Sequence, residues 1–478
     1  MKLNAETLSK ISISKPGYDR DDIQVGIVHF GVGGFHRAHQ AMYVDRLLDT
    51  GTTKDWGICG VGVLPSDRKM AEVMEAQDGL YTLMLEYPDD HRDARVIGSI
   101  VEYRYAPDDR GGVVELIAAP STRIVSLTIT EGGYSIEGAG PDSVFGIVAD
   151  ALALRRDRDL PSVTIVSCDN IEGNGDVARE AFTGYAERSH PGLPEWMAEH
   201  TRFPNSMVDR ITPATTPDVI DTLAREFDVE DEWPVVAEPF TSWVLEDDFS
   251  GGRPKLEDVD VLLVDDVTPY ELMKLRLLNA SHQSLCYFAY LAGYRLVHEA
   301  AGDPLFARFL LSYMDSEATP TLLPVPGIDL PDYKQTLIER FANPGVRDTV
   351  ARLCYGSSDR IPKWLLPVIR ENLASGAPIR LSAATVASWA RYAEGIDEDG
   401  QPIDVQDQLA ESLVPLAKSQ RENPTAFLEH PVFGDLGQQE RFVEAYTWAL
   451  DSLHCNGARA TLEELVNSRG ERSDGEDK

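Results

Sequence analysis

The chain is expected to be an α/β protein. Its N-terminal domain, residues 1–267, is built on a parallel sheet, and its C-terminal domain, residues 268–478, is mainly α-helical. Three observations lead there. Over the first half, short apolar runs rich in β-branched residues alternate with segments of helical period. Near residue 267 that alternation stops, and almost every periodic segment beyond it has 3.6-residue spacing. Finally, 478 residues exceed what one hydrophobic core ordinarily serves.

The elements follow in order. Residues 24–30 (QVGIVHF) form the first expected strand, followed by a glycine-rich turn and an amphipathic stretch through Leu48. Strands at 56–63, 123–128, 162–167, 234–237 and 259–264 come next, with helical patterns at 144–155 and 176–188 among them. The C-terminal domain opens on a helix start: Thr268 as N-cap, Pro269 in the first helical position and Glu271 completing a capping box. Helical spacing recurs at 308–313, 333–341, 365–373, 383–392 and 438–454, with breaks at 320–331 and near 397–402. Residues 468–478 are polar and charged and are expected to fray.

Composition excludes several classes. The apolar share of 43% is that of an ordinary globular protein. The longest apolar stretches, such as 285–291, fall well short of a membrane span. No apolar secretory segment follows Met1, so a cytoplasmic protein is expected. A net charge of −35 argues against nucleic-acid binding, which needs a basic patch. Only 11 of the 44 basic residues are lysine, a balance that fits an Arg-rich proteome or a salt-adapted host. The five cysteines are scattered without a C-x-x-C pair and read as reduced thiols. His36 and His39 stand at i, i+3 but lack a cysteine or carboxylate pair to complete a set of ligands, so no metal site is expected.

The chemistry concentrates in a K-x4-N-x2-H run formed by Lys274, Asn279 and His282. On an α-helix with Lys274 at zero, Asn279 lies at roughly 140° and His282 at roughly 80°. A base beside neutral hydrogen-bond donors is what oxidation of an alcohol requires. One tension follows: Lys274 and His282 are about 12 Å apart along an unbroken helix. They can meet one oxygen only if the helix is distorted. The bland alternatives are a solvated helix lysine and a satisfied core histidine.

A second signal is Gly31-Val32-Gly33-Gly34-Phe35-His36-Arg37, after a strand and opening a helix. In that context the first glycine makes the tight turn and the second lets backbone approach a pyrophosphate. His36 occupies the place of the usual third glycine, and a purely structural turn stays open as an alternative. Arg37 is a candidate partner for phosphate or a plain helix residue. Asp67, four residues past the second strand, is the candidate carboxylate for the adenosine ribose, and a surface aspartate is the alternative. As ribose partner it selects NAD over NADP, with Arg68 beside it as counterweight. Polar clusters also follow strands at Thr130–Tyr134 and Ser167–Asn170, where ligands of open α/β sheets collect. A third, at Met207–Pro213, contains Asp209 and Arg210, which a structural ion pair would also explain.

Taken in order, Gly31–Gln40 (GVGGFHRAHQ), Thr130–Tyr134 (TEGGY), Ser167–Asn170 (SCDN), Met207–Pro213 (MVDRITP) and Lys274–His282 (KLRLLNASH) resemble the mannitol dehydrogenase family of polyol-specific long-chain dehydrogenases. The resemblance runs over about residues 20–455, and residues 325–337 (VPGIDLPDYKQTL) look most like its mannitol 2-dehydrogenase branch. It implies a Rossmann-type N-terminal domain, a helical C-terminal domain with a cleft between them, and zinc-independent oxidation of a polyol to a ketose with NAD. Carried over by position, Lys274 is the general base, Asn170 and Asn279 the oxygen-binding amides, and His282 and Asp209 substrate-site residues. Arg352, Arg360 and Lys363 fall in the segment that lines the family's substrate site, although Arg360 stands where a lysine is usual. Gly31, Gly33, Gly34, Phe35, His36, Arg37, Asp67 and Glu131 fall to the cofactor. The resemblance also implies a monomer. Mannitol is the expected substrate. Fructuronate, tagaturonate, arabinitol and sorbitol are alternatives, and an NAD(H)-binding redox sensor is the non-enzymatic one. A solvated lysine has a pKa near 10.4 and is a poor base at neutral pH, so the reading requires Lys274 to be buried.

Overall fold

The computed structural model describes residues 1–467, so the expected fraying of 468–478 lies outside the described residues. The chain divides into two compact units, Met1–Thr268 and Pro269–Lys478. The first contains strands β1 (Val25–Phe30), β2 (Gly57–Gly62), β3 (Tyr81–Glu86), β4 (Arg92–Ile97), β5 (Ile100–Tyr105), β6 (Ile124–Leu127), β7 (Thr164–Ser167), β8 (Ser206–Asp209), β9 (Val235–Ala237), β10 (Ser242–Glu246) and β11 (Leu262–Val264).

Five of them form a parallel sheet in the order β5-β2-β1-β6-β7. Alternate residues serve opposite faces, as the two-residue strand period requires. Val28, Phe30, Val125 and Leu127 pack on the helices Ala106–Ala118, Val144–Asp157 and Asn174–Ser189. Ile27, Ile58 and Ile124 pack on Gln40–Asp49 and Arg68–Ala76. A sheet covered on both faces explains why these strands read as near-continuous apolar runs. The winding runs outward from β1 through β2 to β5, then returns to β6 and β7. That reversal creates a topological switch point at the carboxyl ends of β1 and β6, the place where such sheets take ligands.

Six of the eleven strands lie outside this sheet, in the orders β4-β3-β9 and β11-β10-β8. Neither the β3–β4 hairpin nor β5, β8 and β10 is legible as a strand. The sequence of β3, Tyr-Thr-Leu-Met-Leu-Glu, is rich in helix formers, and pairing from Tyr81↔Ile97 to Glu86↔Arg92 overrides that preference. The expected strand 259–264 shortens to β11, because Leu256–Val259 forms a 3₁₀ turn.

The second unit is helical. Its central helix, Arg380–Ala393, is buried at every position after Arg380 and packs on Ala280–Leu291 and Glu440–Asn467. Five alanines on it allow that close approach on all sides. The opening helix begins at Thr268, and Asp266 accepts its backbone N–H at 2.9 Å. The side chain that ties this N-terminus is therefore two residues earlier than the expected cap.

Candidate active site

In the first unit the glycine-rich turn is stitched to the switch point. Gly31 has φ +92°, and a β-carbon there would overlap the Thr128 carbonyl oxygen, so only glycine fits. Thr128 Oγ1 donates to the Gly31 carbonyl at 2.6 Å, which binds the end of β6 to the turn after β1. Gly33 is open: an added β-carbon meets nothing nearer than 3.8 Å. That is the space a phosphate needs at a backbone amide. Gly34 is packed, its would-be β-carbon 3.6 Å from Thr212.

His36 shows how an imidazole replaces the third glycine. That glycine normally permits close helix–strand packing. Here the His36 ring lies flat on His29 of β1, centroids 3.4 Å apart and 8° from parallel. Burial pushes His29 down to about 3 and His36 well below its ordinary value, so both rings are neutral and can stack. His29 in turn bonds Ser126 Oγ at 2.8 Å and Thr128 Oγ1 at 3.0 Å. Phe35, also assigned to the cofactor, stacks on His39 with centroids 5.0 Å apart. Arg37, the candidate partner for phosphate, turns inward. It is 1% exposed, and its guanidinium donates to the carbonyls of Gly33 and Trp233. It braces the turn from within, because a buried guanidinium must spend its donors on nearby acceptors.

Asp67 lies closer to β2 than its sequence distance implied. The chain doubles back through a 3₁₀ turn, and Asp67 Oδ2 accepts from the backbone N–H of Val63 and of Leu64, both at 2.9 Å. That holds its carboxyl group at the end of β2. Arg68 turns elsewhere, donating to Asp108 at 2.7 Å with its guanidinium 4.4 Å from the Tyr105 ring centre.

At the ends of β6 and β7 the organising group is Asp169, the neighbour of the expected amide Asn170. Asp169 accepts from Ile129 N at 3.0 Å, Thr130 N at 2.8 Å and the Tyr134 hydroxyl at 2.7 Å. These bonds hold Thr130 at φ +66°, ψ 166°, a region costly for any residue with a β-carbon. Glu131 and Asn170, flanking this lock, are exposed. The signal for Asp169 was a carboxylate directly after a strand, and Tyr134 carried none. Asp209 ends β8 and is buried. Its neighbour Arg210 fastens the segment to the glycine-turn helix, donating to the carbonyl of Ala38 at 2.6 Å and of Glu238 at 2.8 and 3.0 Å.

In the second unit the distortion foreseen as a condition is present. Lys274–Asn279 is a π-helix between Thr268–Met273 and Ala280–Leu291. The Ala280 N–H bonds the Leu275 carbonyl, five residues back. A turn closed over five residues carries Asn279 round toward the face of Lys274, away from its α-helical bearing. Both side chains are buried, Lys274 at 8% exposure and Asn279 at 5%. The Asn279 amide nitrogen has no hydrogen-bond partner among the described residues. An unsatisfied buried donor costs about 1–3 kcal/mol and is rare in native structures. His282, half-buried, packs its ring on Phe341, centroids 4.3 Å apart.

Arg352 and Lys363 are exposed and paired within their own segments, Arg352 with Asp348 and Lys363 with Asp359 at 2.8 Å. Arg360 Nη1 donates to the backbone carbonyls of Arg352 and Leu353, at 3.1 and 3.0 Å. Among the described residues no group of three or more His, Cys, Asp or Glu is arranged to hold a metal, and no helix is long and apolar enough to cross a membrane.

Known proteins resemble the chain over nearly its whole length. The mannitol dehydrogenase Rossmann domain model matches residues 25–258, and the mannitol dehydrogenase C-terminal domain model matches residues 266–454. The chain is 43% identical to a mannitol 2-dehydrogenase of Phaeosphaeria nodorum, over 97% of this chain and 85% of that one. It is 40% identical to that of Aspergillus fumigatus, over 98% and 99%. Among solved structures, Pseudomonas fluorescens mannitol 2-dehydrogenase, in ternary complex with NAD and D-mannitol, is 42% identical with a TM-score of 0.86, covering 98% of this chain and 99% of that one. A substrate-free D-sorbitol dehydrogenase is 35% identical with a TM-score of 0.90, covering 97% and 100%. With a glycine-rich turn at a switch point, a widened helix carrying lysine and asparagine, and both domain models matched in order, this chain belongs to the mannitol dehydrogenase family.

Proposed function

We propose that this chain, an NAD-dependent polyol dehydrogenase, oxidises D-mannitol at C2 to D-fructose and catalyses the reverse reduction. The observation that carries the reading is the π-turn, which gathers a buried lysine and a buried, unsatisfied amide donor on one helix. Lys274 takes the proton of the C2 hydroxyl. Asn279 donates to the oxygen as negative charge develops on it, a stabilisation of the oxyanion-hole kind. His282, steadied by Phe341, holds a neighbouring hydroxyl.

The first unit fits a dinucleotide: Gly31 allows the tight turn, Gly33 leaves room for pyrophosphate, and Asp67 presents a carboxyl group after β2. Bound NAD supplies the acceptor for the hydride from C2. Asp67 sets the preference for NAD by repelling a 2′-phosphate. Asp67→Asn retains an acceptor for Val63 and Leu64 and removes the charge. It is expected to move the NADP-to-NAD ratio of kcat/KM toward NADP by about tenfold. An unchanged ratio in steady-state assays with both cofactors would dismiss that role.

A neutral substrate is favoured over a sugar acid because the two candidate cations for a carboxylate are engaged elsewhere, Arg352 with Asp348 and Arg360 with the backbone carbonyls of Arg352 and Leu353. The likeness to a D-sorbitol dehydrogenase supports a second reading, since sorbitol differs from mannitol only in configuration at C2. A panel of D-mannitol, D-sorbitol, D-fructose and fructuronate with NAD(H), at low and high salt, tests all three. Mannitol and fructose are expected to turn over fastest. Faster reduction of fructuronate than fructose, or faster oxidation of sorbitol than mannitol, would replace the proposed substrate.

A further inference from the structure

A π-turn inside a helix of good α-formers needs something to hold it open. Lys274-Leu275-Arg276-Leu277-Leu278-Asn279 contains no glycine, proline or β-branched residue. In an α-helix the Ala280 N–H would bond the carbonyl of Arg276. Here it bonds Leu275, and the Arg276 carbonyl accepts the hydroxyl of Tyr313 at 3.2 Å. Tyr313 is fully buried, and burial raises its phenol far above the titration range of ordinary solutions, so it remains a donor. Its position is set by a second π-helix, Met314–Ala318, which starts at the next residue and packs against the first. The Arg276 side chain is gripped as well. It makes a two-bond ion pair with Glu371, at 2.7 and 2.9 Å, and donates to the Thr321 carbonyl at 2.6 Å. The clamp thus seizes one residue of the π-turn by both its carbonyl and its side chain.

We propose that Tyr313 and the Arg276–Glu371 pair are positioning residues that hold the Lys274 helix in its widened register, and so keep Asn279 on the face of Lys274. This rests on the function proposed above. Without the phenol, the Ala280 N–H can return to the Arg276 carbonyl, and Asn279 rotates back toward its α-helical bearing.

The test compares wild type, Tyr313→Phe, Glu371→Gln, Asn279→Ala and the two combined variants that add Asn279→Ala to each clamp change. Tyr313→Phe is expected to lower kcat for polyol oxidation about tenfold, a fraction of what loss of an oxyanion donor costs, with KM for NAD unchanged. Glu371→Gln, at a half-exposed site, is expected to lower kcat less. The deciding readout is non-additivity: once Asn279 is alanine, each clamp substitution should cost less than twofold, because its effect passes through that amide. A kcat within twofold of wild type for Tyr313→Phe, or a clamp loss that persists in full beside Asn279→Ala, overturns the proposal. If Tyr313→Phe does not fold, Glu371→Gln decides by the same two criteria. Wild-type enzyme inactive on every polyol would show itself first and would defeat the functional reading together with this one.

Discussion

Lys274→Ala is expected to lose polyol oxidation by about 10³-fold in kcat, within the range that a positioned acid–base group contributes. Lys274 is the ionisable group of the π-turn aligned with the orphan amide, and it is buried, the condition under which a lysine amine can serve as a base. No other residue of the turn can replace it: Arg276 is committed to Glu371 and Thr321, and the rest are leucines and an asparagine. The substitution leaves the glycine turn and Asp67 as they are, so binding of NADH should survive it. The check is a pair of measurements, kcat/KM for mannitol and a fluorescence titration of NADH. Turnover equal to wild type would remove Lys274 as the base. Lost turnover with lost NADH binding would reassign it to the cofactor.

Asn279→Ala is expected to lower kcat by about 10²–10³-fold, the cost of one oxyanion donor. Its stability effect runs the other way. The Asn279 amide nitrogen is buried without a hydrogen-bond partner among the described residues, so it bears a desolvation cost in the folded chain. Asn279→Leu, which fills the volume and removes the donor, is therefore expected to melt at or above the wild-type temperature while being similarly inactive. Active Asn279→Ala, or a clearly lower melting temperature for Asn279→Leu, would contradict the assignment of a donor held ready for substrate.

Parts of this site were legible because their chemistry is local. A glycine that must accept φ +92° beside a carbonyl announces itself by residue type, and Gly31 follows an apolar run that forms β1. The spacing of Lys274, Asn279 and His282 placed all three on one helix. Other parts were not legible. Arg37 follows the glycines directly, yet its partners include the Trp233 carbonyl, 196 residues away. Asp169 was overlooked beside Asn170 because its task, gripping Ile129, Thr130 and Tyr134, depends on β6 and β7 being neighbours. The β3–β4 hairpin was missed because Tyr81–Glu86 has helix-forming residues whose strand state comes from β4 and β9.

The sequence by itself determined the two-domain α/β-then-helical plan, the glycine-rich turn after the first strand and the helix that carries Lys274. Each of these depends on periodicity, sterics or residue type within a short window. Only the tertiary structure decided the register of that helix. Lys274–Asn279 reads as plain α-helix, and its widening is held by Tyr313 and Glu371, 37 and 95 residues beyond Arg276. The physical reason is that a buried polar group must find its partner wherever the fold brings one, and spacing along the chain does not encode that meeting.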